Sequence, residues 1–209
     1  MSSTIKVNNI QNLAGDDSGI DLSTNDQIIL KTANTTAITV NSSQVANFAN
    51  NPTVNSVPHT NAPAFLAKLS DNQTLSDGVD TKVEFDTEVY DTDSKYDHTT
   101  NYRFTPSVAG TYFFYAQVHG RGGTNTQIAD FFMYIKKNGL AFYGARHNPS
   151  ANYTNQVSLD LQVTDVANTT DYYEVFCYVN NLTSTPSIMK EDATRGITSF
   201  FGAYKLIGI

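Results

Sequence analysis

The chain has 209 residues, a formal net charge of −7 and a single cysteine. Its 13 basic and 20 acidic residues argue against a general nucleic-acid-binding protein, which needs basic surface to displace phosphate counterions. The same balance argues against adsorption to an anionic membrane surface. Cys177 cannot form an intrachain disulfide, and its apolar surroundings in the sequence predict a buried thiol.

Residues 1–50 are rich in Asn, Ser, Thr and Asp and contain isolated pairs of aliphatic residues. In the pairs Ile28/Leu30 and Ile38/Val40 one residue separates the two members, which is the period of a strand. Such short strands carry too little apolar surface to fold alone. We therefore predict a β-rich stem in which three copies share their apolar faces, with a flexible tail as the alternative.

Residues 51–61 are predicted to be a linker, because Pro52 and Pro58 interrupt strand ladders and the remaining residues are mostly polar. The predicted head then occupies residues 62–209. The first twelve residues lack the apolar segment of a secretory leader, so we expect the protein to leave its cell by particle assembly or lysis.

The head sequence alternates strand-like segments with clusters of Gly, Asn, Asp and Pro, a spacing typical of β-sandwiches. Asn138-Gly139 predicts a type I′ hairpin turn, because both residue types tolerate a positive φ. The predicted strands are Ala64–Leu69, Val83–Tyr90, Tyr102–Phe104, Thr111–His119, Asp130–Lys137, Leu140–Arg146, Val157–Thr164, Tyr172–Asn180 and Thr198–Ile207.

Two of these strands, Thr111–His119 and Thr198–Ile207, are apolar on both faces. A sandwich in water needs only one apolar face per strand. Partner subunits are the simplest cover for the second face, so we expect an interface between subunits here. The candidate interface residues are Tyr112, Phe113, Phe114, Tyr115, Phe200, Phe201 and Tyr204.

The segment 103–114, Arg-Phe-Thr-Pro-Ser-Val-Ala-Gly-Thr-Tyr-Phe-Phe, resembles the signature of the complement C1q globular-head family, which is related to the tumour necrosis factor jelly rolls. The resemblance covers about residues 62–208 and implies an all-β, ten-stranded jelly-roll sandwich that forms homotrimers and binds rather than catalyses. Further segments resemble other parts of that family in the same order: 63–65, 83–86, 134–139 and 199–206.

The N-terminal segment departs from complement-type relatives, which carry a collagen Gly-X-Y stem. Residues 3–10 instead resemble the short-strand stems of bacteriophage tail fibres and virion spikes. Together the resemblances imply a structural protein exposed on the outside of a phage virion. It would be a short homotrimeric tail fibre whose stem docks on other virion proteins and whose head attaches to a host receptor or polysaccharide.

Two alternatives stay open at this point. In the first, the protein is a capsid decoration or head fibre that stabilises the shell, with its N-terminal strands docked on capsid protein. Otherwise it is a polysaccharide-degrading spike enzyme, which requires converging carboxylates. No pair of carboxylates is singled out by the sequence, so we predict a protein without catalytic residues.

The densest acidic run is 91–97, Asp-Thr-Asp-Ser-Lys-Tyr-Asp. It lacks the Gly and the bidentate Glu of an EF-hand loop, and Lys95 adds a competing charge. We therefore predict a solvated loop, no metal site and no cofactor. Because some C1q-like proteins bind calcium, the resemblance leaves calcium as the alternative.

The resemblance also predicts where a receptor binds. The first and last strands of such heads lie side by side and successive strands reverse direction, so loops 120–129, 147–156 and 181–197 share the end away from the stem. Recognition usually lies on loops of a rigid scaffold, and Tyr and Arg are favoured anchors. The predicted receptor-binding residues, suited to an anionic polysaccharide, are Arg121, Arg146, His147, Asn152, Tyr153, Lys190 and Arg195.

Overall fold

The structure, a computed structural model, describes residues 61–123, 128–148, 154–181, 185–190, 194, 196 and 199–207, and only the strands of residues 1–60. The chain forms two compact units that divide between Thr60 and Asn61. Every regular element in the described residues is a β-strand. Within these residues no helix is long and apolar enough to cross a membrane.

The N-terminal unit contains short strands, as its spaced aliphatic pairs predict. Four of them form an antiparallel sheet in chain order, and a separate two-stranded hairpin lies in the segment predicted to be a linker. The aliphatic residues Ile5, Val7, Ile10 and Leu13, which follow the same pattern, lie outside the described residues. The strands are β1 (Ser18–Asp21), β2 (Ile28–Thr32), β3 (Thr35–Val40), β4 (Ala46–Phe48), β5 (Thr53–Val54) and β6 (Val57–Pro58).

The head contains thirteen strands in its described residues, more than the ten that the resemblance implies. Five of the thirteen are only two residues long. The longer ones are β7 (Ala64–Lys68), β10 (Thr87–Asp91), β13 (Gly110–Arg121), β14 (Ile128–Lys137), β15 (Leu140–His147), β16 (Gln156–Ala167), β17 (Tyr173–Asn181) and β19 (Phe200–Lys205). The short ones are β8 (Gln73–Thr74), β9 (Thr81–Lys82), β11 (Tyr96–Asp97), β12 (Arg103–Phe104) and β18 (Ser187–Ile188).

These strands form two antiparallel sheets, as a jelly roll requires. In the first sheet, strands follow the order β10, β7, β19 and β13, and β16 pairs along the other edge of β13. Strands β18 and β8 extend this sheet beside the end of β13. The second sheet has the order β11, β12, β17, β14 and β15, with β9 also pairing β17. The first and last strands of the head, β7 and β19, are neighbours, which confirms the expectation from the resemblance.

The core between the sheets is dominated by aromatic rings. Phe65 lies at the centre, with ring centroids 4.7 Å from Tyr96, 4.6 Å from Phe104 and 5.0 Å from Phe201. All four side chains are at most 3% exposed. Offset and edge-to-face ring pairs add to the burial of apolar area, so this cluster is a main source of stability.

The prediction of one strand over Val83–Tyr90 is wrong. The chain leaves the second sheet after β9 and enters the first sheet at β10, so residues 83–86 cross between the layers. Val83 and Phe85 are fully buried during this crossing. Their alternation, which the sequence pattern attributes to a strand, comes from side chains that fill the space between two sheets.

The predicted hairpin turn is confirmed. Asn138 and Gly139 both have positive φ, 53° and 81°, and they connect the paired residues Lys137 and Leu140 at the ends of β14 and β15. A type I′ turn needs this conformation at both central residues.

Candidate functional site

An aromatic face covers the side of the first sheet that points away from the core. Along β13, Phe113 and Tyr115 point outward, whereas the alternate residues Tyr112, Phe114 and Ala116 point into the core. Phe200 and Tyr204 project from the adjacent strand β19, since Phe113 pairs with Tyr204 and Tyr115 pairs with Gly202. We call Phe113, Tyr115, Phe200 and Tyr204 the aromatic face. All four remain partly exposed.

The four rings form one continuous cluster. The Phe113 centroid lies 5.4 Å from that of Tyr204 and 6.2 Å from that of Tyr115. The Tyr115 centroid in turn lies 6.0 Å from that of Phe200. Contiguous exposed apolar surface of this kind marks interaction sites in soluble proteins.

Tyr115 is fixed in position by two neighbours. A Cβ atom at Gly202 would collide with the ring of Tyr115, so only glycine leaves room for that ring beside β19. The Tyr115 hydroxyl shares a hydrogen bond of 3.0 Å with the hydroxyl of Tyr90. Burial, followed by this hydrogen bond, raises the pKa of the Tyr115 phenol. The face is therefore ordered within a single subunit.

Three of the seven predicted interface residues belong instead to the core. Tyr112, Phe114 and Phe201 are fully buried inside the head, because they alternate in register with the aromatic face. The Tyr112 hydroxyl donates a hydrogen bond of 2.6 Å to the carbonyl of Val108. These three residues offer no surface to a second subunit. The other four candidates, which form the aromatic face, remain predicted interface residues.

Polar residues continue the same outward side of β13 towards its end at Arg121. The His119 ring nitrogens lie 2.8 Å from the Ser158 hydroxyl and 3.1 Å from the Gln156 side-chain oxygen, both on β16. Nε of Arg121 is buried and has no hydrogen-bond partner in the described residues. The sheet therefore changes from apolar to polar along its length.

The described parts of the three predicted apical loops lie together at one end of the head. Arg121 pairs with Gln156 on one side and with Ser187 on the other. The Gly122 amide donates a hydrogen bond of 2.9 Å to the carbonyl of Asn155. Asn152, Tyr153 and Arg195, by contrast, lie outside the described residues.

Two of the predicted apical cations are held by carboxylates of the same chain. Nε and Nη2 of Arg146 donate hydrogen bonds of 2.9 and 2.7 Å to the two carboxylate oxygens of Asp130. Nζ of Lys190 lies 3.2 Å from Oδ1 of Asp71. His147 pairs with Phe131 at the end of β15. The positive potential that the sequence suggested for an anionic polysaccharide is therefore reduced at Arg146 and Lys190.

The acidic run 91–97 forms hydrogen-bonded turns. Asp97 accepts hydrogen bonds from the amides of Thr99, Thr100 and Asn101 and from the side chain of Asn101. Burial raises the pKa of Asp97, but these hydrogen bonds outweigh it and hold that pKa well below its usual value. In the described residues no group of three or more His, Cys, Asp or Glu side chains could hold a metal ion.

Replacing Asp97 with alanine should lower the free energy of unfolding by about 2 kcal/mol at neutral pH, because several hydrogen bonds to a charged group are lost. The folded-state pKa lies below the unfolded value of about 3.9, so the stabilisation is complete above that value and disappears as the pH falls through the folded-state pKa. Urea denaturation of both proteins should show the difference shrinking below about pH 4. A difference that stays constant into strong acid would contradict this role.

A second aromatic row, which sequence reasoning missed, lies on the outer side of the second sheet. Phe132 on β14 pairs with Tyr178 on β17, and Tyr134 pairs with Phe176. The ring centroids of these pairs lie 5.7 and 6.2 Å apart. We call these four residues the outer row. The sequence signal for the outer row was the alternation of aromatic residues in segments 132–134 and 176–178.

Cys177 lies between these outward residues but points into the core, where it is fully buried. Burial raises the pKa of its thiol, so the reactive thiolate is disfavoured at neutral pH. The expectation of a buried thiol is confirmed.

Solved structures with a similar fold are distant in sequence. Eiger, a tumour necrosis factor from S. frugiperda, has 13% identity and a TM-score of 0.49, with 70% of this chain and 93% of that chain covered. The globular domain of zebrafish complement 1qA has 12% identity and a TM-score of 0.47, covering 70% and 98%. Murine APRIL has 14% identity and a TM-score of 0.46, covering 68% and 98%.

No protein of curated function matches the sequence. The C1q domain family matches residues 64–171, which is slightly more than half of the chain. That span runs from the first residue of β7 to Asp171, beyond the end of β16, and includes most of the two sheets described above. The chain therefore belongs to the C1q-domain family.

Proposed function

We propose that this protein is a homotrimeric structural protein of a bacteriophage virion, a short tail fibre or spike whose C1q-domain head contacts the host cell surface. The aromatic face carries the proposal, because it is a contiguous apolar surface that stays partly exposed in the described residues of the same chain. Its proposed role is to join three heads.

Burial of the aromatic face would contribute to the free energy of association. Fully burying a Phe side chain contributes about 1.5–3 kcal/mol. The four rings are already partly buried in one subunit, so about 1 kcal/mol remains for each. Because a ring of three subunits contains three such faces, their summed contribution supports a stable trimer.

A closed ring of three also needs a second, different patch on each subunit for the aromatic face to contact. Strand β15 offers one. Leu140 is 76% exposed and Tyr143 is 47% exposed, although both are large apolar residues. We propose that this edge of one head packs on the aromatic face of the next.

The N-terminal unit supports the assignment to a fibre. Its strands are two to six residues long and form a four-stranded sheet and a separate hairpin. Small sheets need further packing for stability, and three copies around one axis supply it. The stem docks on other virion proteins, and the apical loops contact a receptor or polysaccharide on the host.

Immunogold labelling of intact particles with antibodies against the head tests this function. Gold at the tail tip supports a fibre or spike. Gold spread over the capsid supports the shell-stabilising alternative instead. Particles that contain the protein neither on the tail nor on the capsid would contradict a virion role.

A further inference from the structure

The outer row borders an open groove on the second sheet. Phe132, Tyr134 and Tyr178 line it together with two carboxylates, Asp80 and Asp130. Its volume is about 470 Å³, within the range of about 300–1000 Å³ that is usual for small-molecule sites. The groove thus combines flat apolar surface with a few convergent polar groups, which is the composition of a binding site.

The two carboxylates differ in their hydrogen-bond partners. Arg146 holds both oxygens of Asp130 and keeps the pKa of that carboxyl below its usual value. The carboxylate of Asp130 also accepts hydrogen bonds from the Asn148 side chain and the Phe131 amide, so its acceptor sites are filled. Asp80 is exposed and accepts a hydrogen bond from the Tyr134 hydroxyl. Asp80 is therefore the carboxylate that keeps acceptor capacity at the border of the aromatic surface, whereas Asp130 adds charge there.

Cations already cover part of the outer row. Nζ of Lys136 lies 3.7 Å from the centroid of the Phe176 ring, and the Arg146 guanidinium lies 4.6 Å from that of Phe132. In the described residues, no such cation lies over Tyr178. The Tyr178 ring is therefore the part of the row that a ligand can stack on.

We propose that this groove binds a neutral hexopyranose glycan, with a sugar ring stacked on Tyr178 and its hydroxyls hydrogen-bonded to Asp80. The apolar C–H face of a pyranose matches a flat aromatic ring, and sugar hydroxyls match carboxylate acceptors. Lys136 and Arg146 balance the charge of the two carboxylates, so net charge attracts neither an anionic nor a cationic glycan to the groove. Asp130 and its partner Arg146 place one end of this site beside the apical loops, but the site does not depend on a virion role or on trimer formation.

A quaternary ammonium ligand is the main competing occupant, because aromatic rings next to carboxylates also attract cations. Such sites surround the cation with rings, whereas the outer row lies along one face of a sheet. Lys136 and Arg146 also place positive charge next to that row. The geometry thus favours a neutral, flat ligand.

Isothermal titration of the full-length protein with maltohexaose, cellohexaose and chitohexaose tests the proposal. We expect saturable binding of at least one of these that persists at high ionic strength, since no ion pair is involved. A hyaluronan hexasaccharide should not bind. The proposal is overturned if none of the three neutral glycans binds, or if tetramethylammonium alone saturates the protein.

Variants of the groove locate the site. Tyr178→Ala should weaken binding by at least about tenfold, whereas Tyr178→Phe, which keeps the ring, should bind within about twofold of the parent. Asp80→Ala, in an exposed loop that tolerates truncation, should weaken binding by about tenfold. Tyr172→Ala, a matched truncation outside the groove, should bind normally. Equal affinity of Tyr178→Ala, Asp80→Ala and the parent would rule out this groove.

Discussion

The double substitution Phe113→Asp and Tyr204→Asp should convert the proposed trimer into monomers. The two rings lie 5.4 Å apart at the centre of the aromatic face, and the substitution places two charges on a surface that association would remove from water. Burying an unpaired carboxylate costs several kcal/mol, more than the remaining rings supply. Light scattering should report a mass close to that of one 22.9 kDa chain.

Val79→Asp provides the matched control, because Val79 is 51% exposed and lies outside the first sheet. This variant should keep the mass of the parent protein. Circular dichroism should show unchanged β-structure for all variants, since both Phe113 and Tyr204 point away from the core. A double variant that stays trimeric would place the interface elsewhere on the head.

The neighbouring residues Phe200 and Phe201 should respond in opposite ways to truncation. Phe201 is fully buried and contacts the rings of Phe65, Phe85 and Tyr96. Phe201→Ala should therefore lower the free energy of unfolding by about 3–5 kcal/mol through lost burial and a residual cavity. Phe200→Ala removes an outward ring and should cost less than about 1 kcal/mol within one head.

Urea denaturation of both variants in the monomeric double-aspartate background separates folding from association. In the otherwise unchanged protein, Phe200→Ala should instead weaken the trimer, which a dilution series measured by sedimentation velocity reports. Equal loss of stability for the two truncations would mean that β19 does not divide its side chains between core and surface as described.

The architecture of the head was predictable because its signals are local. The alternation of large apolar residues along β13 and β19 reveals strands with two apolar faces, and Asn138-Gly139 reveals the turn between β14 and β15. The family resemblance of the segment 103–114 then supplied the order of the strands, which the pairing of β7 with β19 confirms.

The assignment of faces was not predictable, because alternation alone does not say which set of residues is buried. Tyr112 and Phe113 are equally suited to the core in sequence, and only the packing of the second sheet distinguishes them. The sequence of the crossing segment 83–86 predicts a strand for the same reason. Its buried side chains alternate, but its backbone does not pair as a strand.

Sites built from residues that are far apart in the chain could also not be predicted from the sequence. The groove joins Asp80 to β14 and β17, which are about 50 and 100 residues further along the chain. Arg146 looked like an exposed cation for a receptor, but the register of β14 and β15 brings Asp130 within reach of it. The predicted turn fixes the register next to it, but a β-bulge between Ile135 and Lys136 shifts the pairing by one residue, and the sequence pattern does not reveal that bulge.

The mass of the full-length protein in solution is the most direct test that three heads join through the aromatic face. Light scattering over a wide range of concentrations should give about 69 kDa, three copies of the 22.9 kDa chain. A constant mass near 23 kDa would contradict the trimer and would leave the aromatic face without its proposed partner.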